Sequence, residues 1–212
     1  MTDSPRTATL DGRPVSYRLR HSPRARRLSL RLTPEGPLLV KPRRASLAEA
    51  ERFLHEHAAW LLATLARQGT AAADRRAELG LRDGLTLLRG EPVPLTDLPP
   101  PPIDFLRRTA RADVLARLSE RAGQTTRGYR RVTIRAQRTR WGSCSTSGTL
   151  SFNYRLIHAP PPVLDYLVAH ELAHLDVPNH SRAFWRKVES LCPTYRDHEA
   201  YLKHYGSTLL KL

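Results

Sequence analysis

The C-terminal half of the sequence holds a group of side chains whose spacing can bind and use a metal ion. Residues 170–174 read His-Glu-Leu-Ala-His, and His180 follows. Because an α-helix turns about 100° per residue, His170 and His174 should lie on one helical face, one turn apart, as two ligands of one ion require. Glu171 lies beside them, where a carboxylate can take a proton from a metal-activated water without ligating the ion. The spacing therefore predicts a Zn²⁺ site with Glu171 as its general base.

The segment around this motif is apolar on nearly all sides. Residues 163–175 show the pattern of a core helix rather than that of a surface helix. Burying two imidazoles and a carboxyl without partners costs several kcal/mol, whereas a metal ion satisfies the imidazoles directly. The pattern therefore favours a metal site over a purely structural role for these side chains.

The third ligand depends on how the chain turns after the helix. Val177-Pro178 should end the helix, because proline disfavours helical geometry in the residue before it, and the chain can then bring His180 back toward the ion. The spacing equals that of metzincins, but Val177 stands where those enzymes have glycine, so the return must follow another path. The alternative is that His180 caps the next helix or is exposed, with Glu189 or Glu199 as the ligand. We expect His180 to be the third ligand.

The C-terminal half also resembles a known family through motifs that recur in order. The motifs are Arg140-Trp141-Gly142-Ser143-Cys144-Ser145, Leu150-Ser151-Phe152-Asn153-Tyr154-Arg155-Leu156, Val168-Ala169-His170-Glu171-Leu172-Ala173-His174 and Asn179-His180-Ser181-Arg182-Ala183-Phe184-Trp185. From about Arg130 to the C-terminus the chain resembles the YgjP-like metal-dependent hydrolases, which are relatives of the SprT and WLM metallopeptidases. The resemblance implies a zincin-like fold with zinc on His170, His174 and His180, and with Glu171 as catalytic base. It implies two reaction classes, because members are described as metallopeptidases while a nucleotide pyrophosphatase activity is also attached to the YgjP name.

Composition places limits on the class of protein. The 212 residues are 40% hydrophobic, which is enough for one sizeable core or two small ones. No run approaches the length of a membrane span, and the first residues lack the apolar stretch of a secretory signal. Cys144 and Cys192 are far apart and outside any CxxC pair, which agrees with a reducing compartment. We expect a cytoplasmic protein without a membrane partner, with both cysteines in the core and a redox or ligand role for Cys144 as the alternative.

Basic residues dominate the charge. The formal net charge of +15 arises from 35 Lys and Arg against 20 Asp and Glu. The excess of arginine also fits a genome-wide compositional habit, so the total is weak evidence for a nucleic-acid partner. The positions of the basic residues are more informative than the total charge. Basic residues are concentrated in the first quarter of the sequence, where they would attract phosphates or an acidic surface. They are Arg18, Arg20, Arg24, Arg26, Arg27, Arg31, Lys41, Arg43 and Arg44. No aromatic interleaving accompanies them, so a solvated basic hairpin is the alternative.

Two regions are predicted to position these residues. Residues 1–102 form a basic β/α region that ends in a proline-rich spacer. Its alternating apolar residues predict strands at 15–19 and 28–32, and Ser46 with Glu49 forms a capping box that starts a helix running to Gly69. A short hairpin around Gly90 completes the region.

Residues 103–212 are predicted to form the catalytic domain. A helix over 103–123 and strands at 132–136 and 149–154 precede the motif helix. We expect an α+β fold with a zincin-like metallopeptidase core and an HExxH helix, preceded by a small N-terminal β-hairpin plus helix region. Polar groups that can line the cleft are Arg140, Tyr195, Tyr201, His204 and Tyr205.

The preferred reaction is zinc-dependent hydrolysis of a peptide bond, in a peptide or protein that adds to the edge of strand 132–136. One alternative is hydrolysis of a nucleoside triphosphate, with Arg140 or the N-terminal arginines clamping phosphate oxygens. A phosphate loop of the GxxxxGK[ST] type is missing from the sequence. A second alternative is a noncatalytic, zinc-stabilised protein associated with DNA, although a purely structural ion has no need of Glu171.

Overall fold

The computed structural model describes residues 3–33, 35–121 and 123–212. It mixes strands and helices in the α+β arrangement that the sequence predicts. Internal contacts divide the chain into two compact units, Met1–Ala72 and Ala73–Leu212. This division falls earlier than the boundary predicted at residue 102, because the hairpin that precedes the proline run packs within the second unit. A functional boundary at residue 102 stays a prediction.

The first unit is a sheet covered by helices. Its elements are β1 (Asp3–Leu10), β2 (Arg13–Ser22), β3 (Ser29–Thr33), β4 (Gly36–Pro42), α1 (Leu47–Glu56) and α2 (Ala58–Glu78), the last of which continues into the second unit. The strand order is β1-β2-β4-β3, with β2 and β4 parallel and the other neighbours antiparallel. The predicted strands 15–19 and 28–32 are therefore not neighbours, since β4 lies between them. Tyr17, Leu39 and Leu54 lie in the core that the sheet and α1 share.

The predicted helix from Ser46 to Gly69 is divided in the structure. The capping box is present as predicted, with the Ser46 hydroxyl accepting from the Glu49 N–H and the Glu49 carboxylate accepting from the Ser46 N–H. The helix ends at His57, whose Nδ1 lies 2.8 Å from the Phe53 carbonyl oxygen. Neither glycine nor proline marks this break, so propensity alone does not predict it.

The second unit surrounds the helix that carries the predicted metal-binding motif. Its elements are β5 (Leu85–Leu88), β6 (Glu91–Pro94), α3 (Pro102–Glu120), β7 (Arg131–Arg135), β8 (Gly142–Cys144), β9 (Thr149–Asn153), α4 (Pro161–Asp176), α5 (Arg182–Leu191) and α6 (Tyr195–Leu209), with short 3-10 helices at Leu95–Asp97 and Tyr154–His158. In the sheet β7-β9-β8, the central strand β9 is parallel to β7 and antiparallel to β8. Helix α4 packs against α3, α5, α6 and β8, which explains why its sequence is apolar nearly all round.

Prolines determine where α4 begins and ends. Pro161 and Pro162 occupy its first turn, where the missing N–H has no helical partner to lose. The helix ends at Asp176, and Val177 before Pro178 takes an extended conformation with φ −132° and ψ 99°. Among the described residues, no helix has both the length and the apolar character that crossing a membrane requires.

The burial of His158 should make the stability of this unit depend on pH. The residue is fully buried, its Nδ1 lies 2.6 Å from the Leu87 carbonyl oxygen, and no described residue lies within hydrogen-bond distance of its Nε2. Burial lowers the pKa of His158 below its ordinary 6.5. Because the folded state resists protonation, stability present above pH 6.5 should be lost as the pH falls through the lowered pKa, by at most about 1.4 kcal/mol per pH unit.

We expect His158→Asn to keep a donor to the Leu87 carbonyl and to remove this pH dependence. Thermal unfolding of both proteins between pH 7.5 and about pH 5 measures it as the difference in slope. The other histidines are common to both proteins and cancel in the comparison. Equal slopes in the two proteins would contradict the predicted titration.

Candidate metal centre

The structure brings His170, His174 and His180 into one cluster. Their ligand nitrogens all lie within 4.8 Å of one another, and the Nε2 atoms of His170 and His180 are 3.3 Å apart. His170 and His174 lie one turn apart on α4, whereas His180 follows the extended turn at Val177. The turn therefore returns the chain to the helix face that carries the motif. Over the described ranges, neither Glu189 nor Glu199 belongs to the cluster.

The two helical imidazoles, His170 and His174, are partly buried, which favours their neutral form. Burial, followed by the neighbouring His174 and His180, lowers the pKa of His170 to about 3. Burial also lowers the pKa of His174, whose Nδ1 lies 3.3 Å from the Val177 carbonyl oxygen. The Phe184 ring stacks on His174 with a centroid distance of 4.3 Å. Neutral imidazoles with a ring nitrogen free are the form that binds metal ions.

Glu171 is the least solvated ionisable group of the site. Its side chain is 3% exposed, and burial raises the pKa of the Glu171 carboxyl to about 8. Within the described part of the chain, both Glu171 Oε2 and His170 Nδ1 are buried without a hydrogen-bond partner. A buried carboxyl oxygen without a partner is costly unless a ligand compensates it, so Glu171 Oε2 fits a site that receives a water molecule.

Strand β8 lies directly against this carboxyl. A Cβ atom added at Gly142 would lie 2.8 Å from Glu171 Cδ and 2.9 Å from Glu171 Cγ, which is closer than side chains tolerate. Glycine is thus required at this position for space, so that the strand can approach Glu171. In the sequence, Gly142 stands out only as part of the Arg-Trp-Gly-Ser-Cys motif.

A cleft of about 560 Å³ opens over the cluster and is lined by β8 and by Arg127 and Arg140. The loop before β8 is held by the buried Asn153, whose Nδ2 donates to the carbonyl oxygens of Arg140 at 3.0 Å and Gln137 at 2.7 Å. The loop carrying Arg127 is held by Asp176, whose carboxylate accepts from the backbone N–H of Arg127 at 3.4 Å. Both arginines therefore stand on anchored loops at the cleft.

Only one of the two cysteines lies at the cleft. Cys144 lines the cleft, and burial followed by Glu171 raises the pKa of its thiol, whereas Cys192 is buried in the core.

Strand β7, which contains most of the strand predicted at 132–136 as the substrate-binding edge, is separated from β8 by β9. The strand that borders the cleft is β8, because α4 packs against that end of the sheet.

Several expected cleft residues on α6 lie elsewhere. Tyr201 and Tyr205 pack on the hydrophobic cluster that contains Leu87 and Leu209. His204 Nε2 lies 3.0 Å from Glu78 Oε2, and Tyr195 stacks on Trp185 with a centroid distance of 5.4 Å. None of the four is among the described residues that line the cleft, so their prediction as cleft-lining groups is wrong. The tyrosines pack against apolar or aromatic side chains, and His204 pairs with Glu78.

Comparison with known proteins defines the class to which this site belongs. Residues 102–205, which include α4 and the three histidines, match the model of a metallopeptidase domain. The model is described as YgjP-like, metallopeptidase domain, so this part of the chain belongs to the YgjP-like family, as its ordered motifs indicate. The chain thus carries a metallopeptidase-type hydrolase domain.

A search of solved structures finds the crystal structure of the metallopeptidase zymogen of Pyrococcus abyssi abylysin. The two chains are 24% identical, the match covers 47% of this chain and 90% of that one, and the TM-score is 0.33. No curated protein matches the sequence.

The close approach of Gly142 to Glu171 leads to a specific test. In Gly142→Ala the added methyl group should displace the Glu171 carboxyl while leaving the three histidines in place. We expect turnover of a denatured protein substrate to fall on the order of 10- to 100-fold, because small misplacements of reacting groups are costly. Metal content, measured by mass spectrometry, should be unchanged.

Gly128→Ala is the matched control, since a Cβ added at Gly128 meets no atom within 4 Å. Turnover by this variant should equal that of the natural chain. If Gly142→Ala turned over substrate at the natural rate with a full complement of metal, the strand would have no part in positioning Glu171.

Proposed function

We propose that the second unit is a zinc-dependent peptidase in which His170, His174 and His180 hold the ion and Glu171 is the general base. The observation that carries the proposal is the grouping of these imidazoles beside a buried carboxyl in one cleft. The membership of residues 102–205 in a metallopeptidase family supports the same reaction class.

One pair of the proposed ligand nitrogens has the spacing that zinc requires. A tetrahedral ion with Zn–N bonds of about 2.0–2.1 Å requires ligand nitrogens about 3.3–3.4 Å apart. The Nε2 atoms of His170 and His180 are 3.3 Å apart. Three protein ligands leave a fourth position of a tetrahedral ion for water or substrate, which is the pattern of catalytic sites.

The side chains around the cluster can move the proton that hydrolysis requires. A bound zinc ion would supply a Lewis acid that polarises the substrate carbonyl and lowers the pKa of water. Glu171 would accept the proton of the attacking water at its carboxylate and pass it to the leaving amine. Its position next to His170 on α4, in the cleft that the three histidines also line, supports this role.

Strand β8 is the element best placed to bind an extended substrate. It pairs with β9 on one side, and no strand pairs with its other side in the described part of the chain. Residues 142–144 of this strand line the cleft. A peptide added antiparallel or parallel to that edge would pass the histidine cluster, with main-chain hydrogen bonds supplying affinity.

Substitution of the proposed base separates metal binding from catalysis. In Glu171→Gln the histidines are untouched, so metal content should stay near that of the natural chain. Hydrolysis of a denatured protein should fall on the order of 100-fold or more, because general base catalysis typically contributes that much. Turnover is measured on metal-verified protein with and without a chelator.

His180→Gln is the companion variant and should lose both metal and turnover. The proposal would be wrong if metal-loaded Glu171→Gln retained full chelator-sensitive turnover, or if His180→Gln bound metal as tightly as the natural chain does. The first outcome removes Glu171 as base, and the second removes His180 as ligand.

A second candidate function is hydrolysis of a nucleoside triphosphate at the same centre. The observation that favours it is the pair Arg127 and Arg140 at the cleft, neither of which forms an ion pair with a carboxylate among the described residues. Guanidinium groups bind phosphate oxygens in a bidentate manner. The two arginines would also attract a peptide with acidic side chains. Triphosphates and acidic peptides must therefore be tested as separate substrates.

Arg140→Gln tests this second function. If nucleotides are substrates, the variant should raise the KM for a triphosphate about tenfold or more, the effect of losing a charged hydrogen bond, and leave hydrolysis of a neutral peptide unchanged. Arg138→Gln, which alters an exposed arginine of the same loop that does not line the cleft, is the control. The nucleotide hypothesis would be contradicted if the natural chain did not hydrolyse a triphosphate, or if the Arg140→Gln and Arg138→Gln variants hydrolysed it equally well.

A further inference from the structure

We propose that the first unit binds the phosphate backbone of a nucleic acid at one edge of its sheet. The site consists of exposed arginines on two turns, which we call the arginine edge. Its members are Arg24, Arg26, Arg27, Arg43 and Arg44. This binding function is separate from the hydrolytic centre, which lies in the second unit.

The topology of the sheet brings the two turns together. Strands β2 and β4 are parallel, and their last residues, Ser22 and Pro42, are register partners. The chain therefore leaves both strands at the same edge of the sheet. Strand β3 begins at this edge as well, because Ser29 is paired with Val40 near the end of β4. Arginines that are distant in sequence are thereby placed on adjoining turns.

Hydrogen bonds order both turns and join them. The Ala25 N–H donates to the Ser22 carbonyl oxygen, and the Ala45 N–H donates to the Pro42 carbonyl oxygen, each at 3.2 Å. Between the turns, Arg44 Nη2 donates to the Arg26 carbonyl oxygen at 3.1 Å. The arginine edge is consequently a defined surface, which lowers the entropy cost of binding an extended anion.

Three described acidic side chains of the unit pair with arginines outside the arginine edge, among them Glu51, which lies 3.5 Å from Arg6. Asp3 pairs with Arg18 and Arg20, and Glu35 pairs with Arg18. For the ranges that the structure describes, no ion pair involves a member of the arginine edge. The charge of the edge is therefore not cancelled by protein carboxylates.

A buried cation strengthens the positive potential of this edge. Lys41, at the end of β4, is 5% exposed, and its Nζ donates to the Ala45 carbonyl oxygen. A buried charge is screened less by salt than an exposed one, so Lys41 adds to the field that an approaching phosphate meets.

The chemistry of the edge favours a nucleic acid over a membrane. Arginine binds phosphate oxygens in a bidentate manner, and a row of arginines on two turns matches a chain of phosphates better than one phosphate. Binding at a membrane surface combines basic residues with apolar side chains that insert into the lipid. The large exposed apolar residues found in the described ranges are Trp60, Leu95, Ile103, Leu115 and Tyr129, none of which lies on these turns.

Fluorescence anisotropy of the 212-residue chain tests the proposal with labelled single-stranded DNA, duplex DNA and RNA of equal length, titrated over NaCl concentration. Binding should weaken steeply with salt, because phosphate contacts release counterions. The triple variant Arg24→Gln, Arg27→Gln and Arg43→Gln keeps Arg44 and its hydrogen bond. It should bind on the order of tenfold or more weakly and should reduce the slope of log affinity against log salt by about 2 to 3.

The matched control removes the same charge at exposed arginines outside the edge, as Arg13→Gln, Arg67→Gln and Arg111→Gln. It should keep the salt slope of the natural chain. Glu171→Gln should bind nucleic acid normally, so failure of this proposal and failure of the hydrolase proposal are distinguishable.

Three outcomes would overturn the proposal. They are an absence of salt-dependent binding to every nucleic acid, an equal loss in the control triple variant, and binding to vesicles containing phosphatidylserine without binding to nucleic acid. Circular dichroism of both triple variants verifies that the sheet is intact, which we expect because all six side chains are exposed.

Discussion

The second unit depends on the burial of ionisable groups inside an apolar helix. His170, His174 and Glu171 are carried by α4, which packs on several sides within the core. Burial lowers the pKa of both imidazoles and raises the pKa of Glu171, which favours the neutral imidazole form that metal binding requires. The same burial makes them costly in the absence of a ligand. Pro178, which follows the end of α4, lies in the turn that returns His180 to the helix face carrying His170 and His174.

Strand β8 combines two roles that are commonly divided between elements. Its backbone approaches Glu171 so closely at Gly142 that any side chain would displace the carboxyl. Its other edge is the one that borders the cleft. In the proposed peptidase, a substrate bound to β8 would therefore be aligned by the same strand that positions the base. Asn153 supports this arrangement, since its amide holds the loop that leads into β8.

Positive charge serves different purposes in the two units. At the cleft, Arg127 and Arg140 stand on anchored loops close to the proposed site of hydrolysis, where they would act on the choice of substrate. In the first unit, the arginines lie on turns that the parallel pairing of β2 and β4 brings to one edge. Part of the arginine excess therefore lies at two separate surfaces, the cleft and the arginine edge. Net charge alone does not reveal this, because it contains no information about position.

The sequence by itself determined the features that rest on local chemistry. The HExxH spacing, the capping box at Ser46 and the prolines around α4 each act within one or two helical turns, so pattern and propensity suffice to predict them. Only the tertiary structure decided which strand borders the cleft, that Gly142 lies against Glu171, and that α6 packs its tyrosines against apolar residues. These features depend on contacts between residues far apart in sequence, where neither helical period nor strand alternation specifies a partner. Both sequence spacing and tertiary structure contribute to the cluster of His170, His174 and His180. The spacing places two imidazoles on one helix face, and the turn that follows the helix brings the third beside them.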